Sequence, residues 1–285
     1  MKHITFNDGN VMPILGMGFY KVKSKDCADM ILPAIKAGYR SFDTANAYFN
    51  EVAIGEAIAS SGVNREEIFL TTKLWTSDYG LEKTPAAIDA TLKRLKMDYI
   101  DLLLLHQQYG DYLGAWKAME QAVKAGKVKS IGLSNFCIEK TQEVMEHAEI
   151  CPVVNQVQCH PYNQQGELKN FLKKYGIALG AYCPLGHGDL TLFEEPTLKE
   201  ISKCYQKSVV QIILRWHIQE NNIITPKPAI AEHITENINV FDFELTEGDM
   251  ELIRGLNKEW RYFYRPDEEQ EKIALTWAPD FDAQE

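Results

Sequence analysis

Asp43 and Tyr48 stand five residues apart in the stretch SFDTANAYFN (41–50), where a buried strand runs out into a loop. Two further polar residues occupy equivalent points: Lys73 closes the apolar run IFLTTKL and His106 closes YIDLLLLH. An acid, a phenol, a lysine and an imidazole, three of them at the carboxyl ends of strand-like runs, sit where a (β/α)8 barrel builds its active site. They can work together only if those strands are neighbours. A phenol with a pKa near ~10 gives up its proton at neutral pH only when its anion is stabilised, and an ammonium beside it does that. Tyr48 is therefore the candidate proton donor and Lys73 its tuner, with Asp43 keeping the lysine charged and in place. His106 is the candidate for holding a substrate oxygen. Taken singly, each has an ordinary explanation: a cap, a solvated strand end, a half-buried aromatic, a core histidine.

The elements that must position these groups are legible as an alternation. Strand candidates are Tyr39 to Thr44, FLTTKL, YIDLLLLH, KSIGLSN, VVNQVQC, IALGAYCPL, NIITPK and NVFDF, eight in all. Their nearly continuous apolar character is that of strands covered on both faces. Amphipathic helices lie between them, clearest over Ser24 to Gly38, Pro85 to Met97, Ala115 to Lys124, Glu139 to Glu149 and Gln165 to Tyr175. Ser208 and Gln211 have capping-box spacing at the start of VVQIILRWHIQE, and a last helix is expected from about Glu247 to Leu256. The opening HITFNDGNVMPIL predicts a hairpin turning at Asn7–Asn10, a plug for one end of a barrel. The predicted fold is thus an α/β protein, a (β/α)8 TIM barrel with an N-terminal hairpin plug and a C-terminal helix and tail.

Length and charge fit that reading. The chain has 285 residues, 45% of them hydrophobic, and is expected to form a single domain over 1–285, with 258–285 as a tail. Thirty basic against forty acidic residues leave a net charge of −10, which argues against a non-specific grip on nucleic acid or on acidic membranes. Six cysteines without a CxxC pair, a polar opening stretch and no long apolar run suggest a soluble protein with reduced thiols, in the cytoplasm. A metal site is a poor alternative: His106, His160 and Asp43 form no HxH pair, and Lys73 beside Asp43 would repel a cation. A GxGxxG dinucleotide motif is absent, since only Gly16 and Gly18 occur, with Lys21 in the third place.

The strings GYRSFDTANAYFNE, LTTKLW, DLLLLHQ, KSIGLSNF, VVNQVQCHPY, LGAYCPLG and TPKPAIAEHITEN, in this order, resemble the aldo-keto reductases from about residue 5 to residue 257. The prokaryote-like members that include diketogluconate reductases look nearest. The resemblance implies reduction of an aldehyde or ketone by a nicotinamide cofactor, with Asp43, Tyr48, Lys73 and His106 as the tetrad. It also implies that Ser134, Asn135 and Gln156 hold the nicotinamide carboxamide and that Tyr182 stacks on the ring. Leu185 and Asp189 fall in the loop that closes over the pyrophosphate, Asp189 pairing there with Lys227. Lys227 would bind phosphate, and Glu236 and Asn237 would contact adenine. Pro228 and His233 replace the family's serine and arginine, so NADPH is the cofactor implied while NADH stays open, histidine being a poorer fork for a 2'-phosphate. At the substrate pocket, Tyr20 and Gln107 stand where tryptophans are frequent and Trp75 is kept, which suggests small polar carbonyl compounds. Tyr262 to Arg265 either close over the substrate or pack on the outside. The competing reading is a nucleotide-binding barrel with a regulatory or structural role. The partner expected is a small-molecule carbonyl substrate, and the assembly a monomer or weak homo-oligomer.

Overall fold

The computed structural model describes residues 1–228 and 230–284. Strands β1 (His3–Thr5) and β2 (Val11–Pro13) pair antiparallel as the expected hairpin, with Gly9 taking the positive φ the turn requires. Eight parallel strands follow in one sheet: β3 (Met17–Gly18), β4 (Ser41–Asp43), β5 (Phe69–Leu74), β6 (Ile100–Leu105), β7 (Val128–Ser134), β8 (Val154–Gln158), β9 (Ala178–Tyr182) and β10 (Ile223–Ile224). Their order in space is their order in the chain, and the bridge Leu15–Ile224 joins the two edges. Phe6 and Met12 of the hairpin are buried against Phe69, Leu102, Leu104 and Val154, so the hairpin seals the amino-terminal end of the barrel.

Seven of the eight expected strands form, and one does not. Residues 239–243 (NVFDF) are not a strand. Their carbonyls are taken by side chains of a helix, Gln211 donating to Asn239 and Arg215 to Val240. The apolar residues there serve helix packing instead, with Phe243 5.9 Å from the Arg215 guanidinium and its ring against Tyr205 of the preceding helix. The eighth strand is instead Met17–Gly18, too short and too glycine-rich to show a hydrophobic run. Gly18 is needed for closure, because a Cβ there would lie 2.7 Å from the Thr225 carbonyl oxygen.

The helices packed outside are α1 (Cys27–Ala37), α2 (Glu51–Ser60), α3 (Thr84–Leu95), α4 (Tyr112–Lys124), α5 (Ile138–His147), α6 (Gly166–Lys174), α7 (Leu190–Phe193), α8 (Pro196–Tyr205), α9 (Val209–Gln219), α10 (Ala231–Ile238) and α11 (Glu247–Arg254). Gly38 ends α1 in the left-handed conformation and the Ser208–Gln211 capping box opens α9, both as the sequence predicts. An unanticipated α12 (Asp267–Thr276) lies at the carboxyl-terminal mouth of the barrel. Its acidic sequence DEEQEK carries no apolar stripe, and only Ala274 is buried. No helix among the described residues is long and apolar enough to cross a membrane.

Candidate active site

Strand β4 delivers Asp43 to the carboxyl end of the barrel, and the chain then turns through a short 3-10 segment, Asn46–Tyr48. Buried Asn50 fixes this turn: its Nδ2 donates to the carbonyls of Phe19 and Val22, and its Oδ1 accepts from Thr44 Oγ1 at 2.6 Å. Tyr48 is held over the barrel mouth by a loop that Asn50 ties to three neighbouring groups and that Asn46 Nδ2 ties to Asp78 at 2.7 Å. Because β5 is the neighbour of β4, Lys73 reaches across to Asp43, Nζ to Oδ1 at 2.5 Å, and also donates to the Thr44 carbonyl at 2.8 Å. The other Asp43 oxygen accepts from Gln156 Nε2 at 2.7 Å. The Lys73 ammonium lies 5.2 Å from the centre of the Tyr48 ring. His106, just past the end of β6, presents its ring 5.7 Å from that of Tyr48 and 5.2 Å from that of Trp75. The four groups therefore converge.

The electrostatics of this cluster are set by burial. The Tyr48 phenol is pushed well above its ordinary value, by burial first and then by the Asp43 charge. The lowering expected from Lys73 does not prevail over burial and the Asp43 charge, so the phenol keeps its proton at rest. Burial lowers the Lys73 pKa while Asp43 supports its charge. His106 is held well below the usual histidine value, by burial and by Lys73, and is a neutral imidazole. Its buried Nδ1 has no hydrogen-bond partner among the described residues.

A cleft of roughly 1060 Å³ opens above these groups. Ser134, at the end of β7, and Asn135, in the left-handed conformation with φ 63°, line it beside Gln156. Asn135 Nδ2 donates to the His106 carbonyl and its Oδ1 accepts from the Tyr182 hydroxyl at 2.9 Å. Leu185, Lys227, His233, Glu236 and Asn237 line the same cleft, as do Tyr20, Trp75 and Gln107. The Gln107 backbone is pinned at both N–H and carbonyl by the Tyr79 hydroxyl. Asp189 departs from expectation. Its carboxylate caps α7 through Thr191 and accepts from the Tyr262 hydroxyl at 2.7 Å, and no ion pair with Lys227 forms. His160, expected to be structural, is wholly buried with Nε2 3.0 Å from Gln158 Nε2.

The tail settles on the inside alternative: Tyr262 to Arg265 line the cleft, joined by Gln270, Ile273, Ala274 and Trp277. The last four were missed, having neither a motif nor an apolar period; the one available signal was the aromatic Trp277 closing the run IALTW. A second cavity, of roughly 330 Å³, lies at the opposite end beside the hairpin and holds none of these groups. No cluster of three or more histidine, cysteine, aspartate or glutamate side chains among the described residues is arranged to hold a metal.

The profile of the Aldo/keto reductase family matches residues 14–258. Glyoxal reductase of Bacillus subtilis is 43% identical over 267 residues, covering 93% of this chain and 96% of its own. Methylglyoxal reductase DkgA of Escherichia coli O157:H7 is 37% identical over 268 residues, covering 93% and 97%. Among solved structures, an aldo/keto reductase from Brucella melitensis superposes with a TM-score of 0.87 at 43% identity, covering 90% of this chain and 99% of that one. An aldo-keto reductase from a Medee basin deep-sea metagenome library gives 0.90 at 41% identity, covering 93% and 98%. The chain belongs to the aldo-keto reductase family. It is an oxidoreductase that reduces an aldehyde or ketone to an alcohol with a nicotinamide cofactor, and nothing in these comparisons favours a non-catalytic barrel.

Proposed function

We propose that this enzyme reduces small polar carbonyl compounds, 1,2-dicarbonyls of the glyoxal type among them, with NADPH, and that Tyr48 is the proton donor. The observation that carries the reading is the convergence of Tyr48, the Lys73–Asp43 pair and a neutral His106 on one large cleft. The names of the Bacillus subtilis and Escherichia coli relatives support the substrate class, and so do the phenol of Tyr20 and the amide of Gln107 in the pocket wall.

The residues present fit a dinucleotide. Asn237 is buried with its Oδ1 unpaired among the described residues, an acceptor suited to an amino group of a base, and Tyr182 offers a flat ring beside Ser134, Asn135 and Gln156 for a nicotinamide. Lys227 would meet phosphate. NADPH is preferred over NADH on the strength of Lys227, with His233 supplying less charge than the arginine it replaces.

A bound nicotinamide supplies hydride to the carbonyl carbon. The protein's part is to hold the carbonyl oxygen and to move one proton. His106, neutral at working pH, donates a hydrogen bond to that oxygen without a charge to lose. Tyr48 keeps its proton until the oxygen becomes basic, because burial holds the phenol well above its ordinary value. When the oxygen carries developing negative charge, Tyr48 Oη delivers the proton, and Lys73 stabilises the phenolate that remains. Asp43 keeps Lys73 charged in a site that would otherwise strip its proton.

We read residues 1–285 as one working domain, since the tail contributes to the cleft, and the chain as active by itself, since every group invoked comes from one copy. All six cysteines are unpaired, which suits a reducing compartment such as the cytoplasm.

The test is to titrate the protein with NADPH and NADH by quenching of tryptophan fluorescence, then to assay glyoxal, methylglyoxal and a keto sugar. Tyr48→Phe is expected to bind NADPH as the wild type does and to lose at least about a hundredfold in turnover, the scale of one proton donor. Near-normal turnover in that variant would overturn the mechanism.

A further inference from the structure

The chain beyond α12 does something the cleft alone does not require. Ile273, Ala274 and Trp277 form one wall of the cleft, and this wall touches the reacting groups through Trp75. Trp75 Nε1 donates to the Trp277 carbonyl at 2.9 Å, the two indoles meet edge to face at 5.1 Å, and the other side of Trp75 meets the His106 ring at 5.2 Å. Thr76 Oγ1 donates to the Ala274 carbonyl. The wall itself is a marginal structure. Helix α12 is ten residues with one buried side chain, too short and too polar to hold its place unaided.

Past Trp277 the chain leaves the cleft and is fastened on the outside of the barrel. Phe281 is buried, its ring 5.8 Å from Phe49 and 6.0 Å from Trp277, and Phe49 is the residue after Tyr48. Asp282 Oδ1 accepts from Arg94 Nη1 at 2.6 Å, and Gln284 Oε1 accepts from the Val52 N–H in the first turn of α2. That N–H has no partner within its helix, so the tail fills a vacancy. Arg94 is itself locked: Nε donates to the wholly buried Glu51 at 2.7 Å, Nη2 donates to Thr91, and Glu51 accepts from Thr72, the neighbour of Lys73. The guanidinium is neutralised by Glu51 and leaves Nη1 for the tail.

We propose that Phe281 and Asp282 are positioning residues for substrate selection: seated on Phe49 and Arg94, they hold the Ile273–Trp277 wall against Trp75 and so set the width of the pocket beside His106. The inference rests on the reading of Tyr48 and His106 as the reacting floor. A substrate large enough to reach the wall gains from it, and one too small does not. Loosening the fastener therefore raises KM in a size-dependent way and leaves the proton transfer alone.

The test compares Phe281→Ala and Asp282→Ala with the wild type on glyoxal and on 4-nitrobenzaldehyde, with NADPH titrated by fluorescence. Both changes lie outside the strands and the helices packed on them; Phe281→Leu, which keeps an apolar plug, serves as the rescue, and a far-ultraviolet spectrum like the wild type's separates an altered wall from a chain that fails to fold. For Phe281→Ala the KM for 4-nitrobenzaldehyde is expected to rise about tenfold. The KM for glyoxal, kcat for both and the NADPH Kd should stay within about twofold. The near-ultraviolet circular dichroism of the Trp75–Trp277 pair should weaken, and Phe281→Leu should restore most of both signals. Asp282→Ala should move the same quantities in the same direction by a smaller factor. An unchanged KM for 4-nitrobenzaldehyde, an equal rise for both aldehydes, or a parallel loss of NADPH affinity overturns the proposal. If Tyr48→Phe is inactive while Phe281→Ala leaves KM unchanged, the fastener alone is wrong; if Tyr48→Phe turns over normally, the reading of the floor is.

Discussion

Replacing Asp43 by asparagine isolates the electrostatic logic of the site. The amide retains size and a hydrogen-bonding oxygen but removes the counter-charge 2.5 Å from Lys73, whose side chain is only 1% exposed. What remains for the ammonium is the Thr44 carbonyl at 2.8 Å. An unpaired buried cation costs several kcal/mol, and the protein escapes most of that by letting Lys73 lose its proton. The escape sets a ceiling. Holding a lysine neutral at pH 7, when it would be charged with a pKa of 10.5 in the unfolded chain, costs about 1.4 kcal/mol for each of the 3.5 intervening pH units, or about 5 kcal/mol. The expected loss of stability at pH 7 is thus about 3–5 kcal/mol.

The sign of the pH dependence follows. In the variant the folded pKa of Lys73 lies below its unfolded value, so between the two the unfolded chain binds the extra proton and stability rises with pH. The deficit against the wild type should shrink by about 1.4 kcal/mol per pH unit from pH 7 upward, until the wild-type lysine itself titrates. Urea unfolding of both proteins at pH 7, 8 and 9 measures it. A deficit below about 1 kcal/mol at pH 7, or one that stays constant to pH 9, would refute the claim that Asp43 is there to keep a buried lysine charged.

Other consequences can be checked separately. With Tyr48 held well above 10 and His106 well below 6.5, kcat/KM should be flat from about pH 6.5 to 9, and a titration in that interval would contradict the assigned protonation states. His233→Arg should tighten NADPH binding about tenfold or more, the worth of a charged forked contact, and leave NADH unchanged; equal effects on both would remove His233 from the 2'-phosphate site. Stability should fall in mild acid. His106, His160 (to about 4) and His217 (to about 3) all have folded pKa values lowered by burial, so their contribution is complete above pH 6.5 and is lost as the unfolded chain takes up protons below it. Asp78, raised to about 6, and Glu51, also raised, act in the opposite sense, leaving a net decline of about 1–3 kcal/mol per pH unit between pH 6 and 4.5, which urea midpoints would show or exclude.

The polar groups at strand ends were legible because burial on both sides forces the strands into apolar runs, against which Asp43, Lys73 and His106 stand out. Tyr48 was legible only by its distance from Asp43. Where the sequence misled, the physical cause is local. Val240, Phe241 and Phe243 make an apolar run like a strand's, but Arg215 of α9 takes the Val240 carbonyl and Phe243 packs on Tyr205 of α8, while Met17–Gly18 is a strand whose glycine is demanded by the approach of the Thr225 carbonyl and therefore carries no hydrophobic mark. Asp189 has one carboxylate and more than one neighbour, and its choice of Thr191 and Tyr262 over Lys227 depends on a tail whose course no periodicity predicts.

The tail also adds cover over a site with much polar chemistry. Tyr48, half-buried, holds its proton and His106, buried, stays neutral because both are largely withdrawn from water, and the barrel alone does not supply all of that cover. Phe263 lies 6.4 Å from Tyr20, whose ring lies 5.1 Å from Tyr48, and this cover is independent of the Ile273–Trp277 wall. The eight strands bring the proton donor, the cation and the imidazole to one point. The residues after 258, where the family profile stops matching, complete the low-dielectric surroundings in which a neutral phenol beside a compensated ammonium is the stable arrangement and a proton leaves only when the substrate oxygen calls for it.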